Sequence, residues 1–196
     1  MKRNNGLVVP IAIIFIAILF FMLNSNFELG KYGSLEEAIA KTVPYDVKDI
    51  IYTDVYEGVT IVLYSATPDQ EEVPHLDRVE GVAFYTGNDK EGWRNIGSHG
   101  WFHYENNNMT VYDDRLRHHD SQGKTIYEFH VVFGEINNPD IVKVETKAFS
   151  EVEGSDSFTP AKIINHSTGR FYFKVGEETT VRGLSENGEV IVRQGG

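Results

Sequence analysis

Cysteine is missing from this chain of 196 residues. Disulfides, thiolate nucleophiles, Cys-ligated zinc and lipidated cysteine are therefore all excluded. Basic side chains are the next shortage, with 18 Lys and Arg against 29 Asp and Glu and a formal net charge of −11. Binding nucleic acid requires clustered Lys and Arg to neutralise phosphates, so this balance argues against such a partner. The sequence also has no P-loop, G-x-G-x-x-G, G-x-S-x-G or H-E-x-x-H spacing, which leaves a nucleotide cradle, a nucleophile elbow and a zincin site without support. No repeat of 20–50 residues is present. What remains is ordinary: 41% hydrophobic and 24% charged residues belong to a folded chain.

The charge is unevenly spread. From Gly6 to Leu23 no side chain is charged, and Leu7–Leu23 is almost wholly Leu, Val, Ile, Phe, Ala and Met. Eighteen helical residues rise roughly 27 Å, enough to cross a bilayer core. Pro10 falls early in the run, where a missing N–H costs least. Lys2 and Arg3 precede the span, and Lys31 is the only basic residue soon after it. The positive-inside rule then predicts a cytoplasmic tail over 1–5, a transmembrane helix over 6–23 and an extracellular remainder. No A-x-A pattern follows the span, so it is read as an uncleaved signal anchor. Without Lys2 and Arg3, residues 24–196 hold 16 basic residues against all 29 acids, a net of −13. Anionic lipid would repel such a domain.

Residues 24–33 are polar, with two glycines, and read as a tether. Ser34-Leu35-Glu36-Glu37 forms a capping box in which Ser34 accepts from the N3 amide and Glu37 reaches back to the Ser34 N–H. Leu35, Ala38 and Ile39 share one face of the resulting helix, and Pro44 ends it. Strand patterns follow over 47–57, 59–66, 79–86, 93–96, 109–112, 126–133, 141–149, 161–165, 170–175, 179–184 and 189–193. Turns are predicted at Gly58, at 87–92, at 106–108, at Pro139-Asp140 and at Asn187-Gly188. The fold class is mainly β: one short amphipathic helix, then an antiparallel β-sandwich-like domain of about nine or ten strands spanning 34–196. The polar stretch 113–125 is a candidate sub-boundary within it.

Two residue sets could carry chemistry. His99, His103, His118 and His119, with the nearby acids Asp113, Asp114 and Asp120, are candidate metal ligands, since imidazole and carboxylate suit zinc and related ions. Against this, His118 and His119 face opposite ways in an extended chain, and solvated or hydrogen-bonded histidines account for the pattern without a metal. Asp113, Asp114, Glu135 and Asp140 could supply a carboxylate pair. Trp93, Trp101 and Tyr104 cluster with Phe102 between turns and are candidates for a carbohydrate or peptide platform. Packing of the same rings as core or loop anchors is the preferred account.

The segment Phe133-Gly134-Glu135-Ile136-Asn137-Asn138-Pro139-Asp140-Ile141, followed by Phe171-Tyr172-Phe173, Gly183-Leu184 and Gly188-Glu189-Val190-Ile191, resembles small uncharacterised membrane-anchored extracytoplasmic proteins of Bacillus-type Gram-positive bacteria. The likeness covers roughly 34–66 and 126–193. Some of those proteins are lipoproteins, and here the lipid-bearing Cys is absent. The resemblance implies location and architecture, with no activity attached. Together these readings lead to an expectation of a single-pass cell-membrane protein whose bilayer contact is residues 6–23 and whose outer domain binds or supports an envelope partner, with no cofactor. The alternatives are a metal-dependent or carboxylate-based hydrolase using the histidine-rich region, and an accessory subunit of a membrane complex.

Overall fold

The computed structural model describes residues 30–69, 71, 76–97, 100, 103, 106–148, 157–176 and 178–195. Among these, no helix is long and apolar enough to cross a membrane, and the predicted span over 6–23 lies outside the described residues.

The helix α1 (Leu35–Thr42) begins where the capping box places it, with the Ser34 hydroxyl accepting from Glu37 N at 3.1 Å. Glu37 reaches one residue further back than expected, and its Oε2 accepts from Gly33 N at 2.9 Å. Val43, held extended before Pro44, closes the helix. Four strands follow as a meander: β1 (Asp46–Tyr56), β2 (Val59–Thr67), β3 (Val79–Asn88) and β4 (Gly92–Asn95). The β1–β2 turn places Glu57 at φ 50° and Gly58 at φ 80°, the left-handed pair that matches the twist of a two-residue hairpin. This is sheet I. The segment 31–33, read as tether, is bonded to it: Tyr32 and Trp93 exchange backbone hydrogen bonds at 2.9 and 2.8 Å.

The remaining strands form two further antiparallel sheets. Sheet II has the order β5 (Tyr112–His119), β6 (Thr125–Glu135), β10 (Gly169–Val175), β9 (Lys162–His166). Sheet III has the order β12 (Val190–Gln194), β11 (Glu178–Leu184), β7 (Lys143–Ala148), β8 (Thr159–Pro160). The chain passes between them after β6, β8 and β10, so these two sheets are woven together. Twelve strands are present among the described residues, more than the nine or ten expected. The additions are β8, which is only two residues long, and most of β5. The latter occupies the stretch read as a polar connection: its Tyr112 and Leu116 point inward while charged residues separate them.

Three apolar clusters hold the layers together. One side of sheet I packs on α1 through Ala38, Ile39, Val62, Tyr64, Ala83 and Tyr85. Its other side faces sheet II across Ile61, Leu63, Val82, Phe84, Phe129, Phe133, Phe171 and Phe173. Sheet II in turn packs its far side on sheet III through Val132, Tyr172, Val144 and Val181. Burial on both faces explains why β2, Val-Thr-Ile-Val-Leu-Tyr-Ser-Ala, is mostly apolar and shows no polar alternation, with Thr60 and Ser65 buried among the rest.

Candidate functional site

One group of chemistry-bearing side chains meets at the rim between sheets I and II. Strand periodicity brings them there. On β3, Val82 and Phe84 face sheet II, so Glu80 faces it too; on β6, Phe129, Val131 and Phe133 face sheet I, and Glu135 continues that row. Tyr112 opens β5 on the same core-facing side. Two glutamates and a tyrosine thus meet where the apolar core gives out.

Arg78 fills the gap. Its Nε donates to Glu80 Oε1 at 3.0 Å, its Nη2 to Glu135 Oε1 at 2.5 Å, and its Nη1 to the Thr168 carbonyl at 3.2 Å. The guanidinium carbon lies 5.8 Å from the Phe171 ring centre. Glu80 is almost wholly buried at 3% exposure, and the Tyr112 hydroxyl also hydrogen-bonds it. Burial pushes the Glu80 carboxyl above the ordinary carboxylate range, with Arg78 working against the rise. For Arg78 itself burial favours the neutral form, but the hydrogen bonds and charges of Glu135 and Glu80 outweigh it and hold the guanidinium above its usual value. Gly169 leaves room for this arrangement, since a Cβ there would lie 2.8 Å from Glu135 Oε1.

Beside this triad lies an open cleft of about 520 Å³, lined by Glu80, His103, Asn106, Thr110, Tyr112 and Glu135, among others. Its wall is braced by amides and a threonine. Asn106 Oδ1 accepts from the amides of Asn108 and Met109, and Asn137 Nδ2 donates to the Asn106 carbonyl at 2.6 Å. Thr110 Oγ1 accepts from Glu135 N at 2.8 Å, and the buried Tyr172 hydroxyl donates to the Thr110 carbonyl at 2.8 Å. Gly134 permits this close approach: a Cβ there would sit 2.1 Å from Thr110 O. Thr110 and Asn137 thus tie the 106–110 segment to β6 and to the residues that follow it.

Among the sequence candidates, His103 lines this cleft, and Glu135 is one of its two carboxylates. The others are dispersed. Trp93 lies on β4, packs toward α1 and donates from Nε1 to Asp89 Oδ1 at 2.6 Å. His118 stacks on Tyr127, while its neighbour His119 shares a hydrogen bond with Thr125 Oγ1. Asp113 pairs with His130, Asp114 Oδ1 accepts from Arg115 N, and Asp140 lies in a turn. Burial raises the Asp114 carboxyl. His99, Trp101 and Tyr104 lie outside the described residues. Among the described residues no three His, Asp or Glu side chains gather as a metal set.

Glu80 and Tyr112, which line the cleft, and Arg78, which binds Glu80 and Glu135, are not among the candidates the sequence offers. A signal was available: Glu80 interrupts the apolar run Val79-Glu80-Gly81-Val82-Ala83-Phe84, and a carboxylate in such a run needs a cation nearby. No family model, curated protein or solved structure matches the chain.

Proposed function

We propose that this chain is a single-pass membrane protein, anchored through residues 6–23 with its N-terminus in the cytoplasm, whose extracellular β-sandwich-like domain has a non-catalytic binding or structural role at the cell envelope. The observation that carries the non-catalytic part is the engagement of both cleft carboxylates, Glu80 and Glu135, by the single guanidinium of Arg78. A general acid or base has to exchange its proton with a substrate, and a carboxylate held in an ion pair across two sheets is poorly suited to that. Such a clasp fixes the sheets against each other and leaves the outer surfaces for binding. The unbroken apolar run over 6–23 and the Lys2-Arg3 pair before it support the anchoring and its orientation.

External protease added to intact cells tests the topology. A C-terminal epitope should be digested while the N-terminal tail stays protected, with the undigested protein in the membrane fraction. Release into the medium, or full protection of the C-terminus, would sink the reading.

One observation favours a second reading, a metal-dependent or carboxylate-based hydrolase: His103 lines the same cleft as Glu80 and Glu135. Metal analysis of the full chain purified in detergent separates the two. Stoichiometric zinc that disappears on changing His99 and His103 would replace the binding role with the hydrolytic one.

A further inference from the structure

Strand β1 is the outer strand of sheet I: among the described residues it pairs with β2 on one side and with no strand on the other. Three of the large exposed hydrophobic residues lie on it: Ile50 at 41%, Val55 at 65% and Tyr56 at 38% exposure. Between its first half and α1 runs a groove of about 640 Å³ whose floor is apolar, with Ile39, Tyr45, Val47 and Ile50. Its charged lining consists of Glu36 from the first turn of α1 and Asp46, Lys48 and Asp49 from β1. Lys48 is bound to Asp46, which leaves the charges of Glu36 and Asp49 without a cation of the groove to balance them.

We infer that this edge is a docking site for an extended, basic peptide segment of a partner protein, which would add a short strand to β1 and seat an apolar side chain in the groove. The inference rests on reading the domain as a binding module, and not on its location in the cell. An unpaired edge offers backbone donors and acceptors, and alternating pockets beside it select side chains. The acids select Lys or Arg at the positions that flank the seated residue. A second copy of this chain is the wrong occupant, because pairing β1 with β1 brings together two strands that each carry Asp46, Asp49 and Asp54 against the single Lys48. Register shifts at Val47/Asp49 and Ile50/Tyr52 interrupt the strand, so the added segment is short. Affinity then depends on the side chains and falls with salt.

The test uses the full chain in detergent and two labelled octapeptides, one alternating Lys with Val and one alternating Lys with Pro, followed by fluorescence anisotropy. They carry equal charge, but only the first can form a strand. The Lys–Val peptide should bind at least tenfold more tightly, and the double variant Glu36→Lys, Asp49→Lys should lose at least tenfold of that affinity. The exposed pair Glu186→Lys, Glu189→Lys makes the same change of net charge on the β11–β12 turn and should alter binding less than twofold. Equal binding of the two peptides, equal losses in the two double variants, or no binding of the Lys–Val peptide would each overturn the inference. So would a concentration-dependent dimer abolished by Ile50→Lys. None of these results bears on the protease-accessibility or metal measurements, so failure here is distinguishable from failure of the wider reading.

Discussion

Two charge clusters in this molecule are inverses of each other. At the seam of sheets I and II one cation, Arg78, serves two acids, Glu80 and Glu135. On sheet III one acid, Glu145, serves two cations, Lys143 and Arg182. Both central acids are buried, Glu80 at 3% and Glu145 at 6% exposure, yet their carboxyls move in opposite directions. Burial dominates at Glu80 and raises it. At Glu145 the Lys143 hydrogen bond dominates, burial opposes it, and Arg182 adds to the lowering. Desolvation and the number of neighbouring cations together set the sign. The clusters also differ in reach. Lys143 and Glu145 lie two apart on β7, and Arg182 is directly opposite Glu145 on β11, so that cluster ties one sheet to itself. Arg78 ties two sheets together.

The largest expected effect breaks the seam. Arg78→Ala leaves the buried Glu80 without its cation and should cost about 3 kcal/mol, the low end for such a loss because 34% of the Arg78 side chain is exposed. In a thermal melt that is a fall in Tm of about 9 °C. Arg182→Ala leaves Lys143 on Glu145 and removes the guanidinium that lies 3.7 Å from the Phe158 ring centre; the loss should be about 1 kcal/mol. Equal losses would erase the distinction between a clasp that spans sheets and one that does not.

A second pair of changes asks how tightly each region is packed. Gly134→Ala drives a Cβ into the Thr110 backbone at 2.1 Å and should cost about 3 kcal/mol. Gly183→Ala on sheet III meets instead the Ile141 Cδ1 atom at 2.9 Å, a side-chain terminus that can turn aside, and should cost about 1 kcal/mol. Urea midpoints of the two variants measure the difference, and the reverse order would refute the packing account.

The smallest effects are the most pointed, because they carry opposite signs. Glu80 has a raised carboxyl, so its contribution to stability is complete below the ordinary carboxylate value and is lost as pH rises through the higher folded value. Relative to Glu80→Gln, the native protein should therefore gain stability as pH falls from 7 toward about 4.3. At pH 7 the two should agree within about 1 kcal/mol. Glu145 has a lowered carboxyl, so its contribution is present above the ordinary value and disappears as pH falls through the lower folded one. The advantage of the native protein over Glu145→Gln should shrink below about pH 4.3. Denaturation curves at a series of pH values would expose two parallel trends if the sign argument fails.

Legibility from sequence follows the same division. In sheet I each strand neighbours the next along the chain, and local signals sufficed: the Ser34 cap, the Gly58 turn and the 87–92 turn all fall where the pattern puts them. In sheets II and III the strands were mostly recognisable, but their order was not. Val131–Glu135 pairs with Phe171–Val175 nearly forty residues later, and nothing local in either segment names its partner. Strand β5 was missed because Asp113, Arg115 and Arg117 dominate its composition, while Tyr112 and Leu116 alone do the burying. Glu135 was noticed as a carboxylate, but Glu80 was hidden inside an apolar run.

Sequence by itself determined the absence of cysteine chemistry, the acidic balance, the one capped helix and the mainly β content, because each depends on composition or on residues a few positions apart. Tertiary structure alone decided which carboxylates meet. Glu80 and Glu135 stand 55 positions apart, and each becomes a cleft residue only because two strand faces close on the same core. Their meeting calls for Arg78. A buried carboxylate without a cation is costly, and only the packing of the sheets shows where that cation has to be.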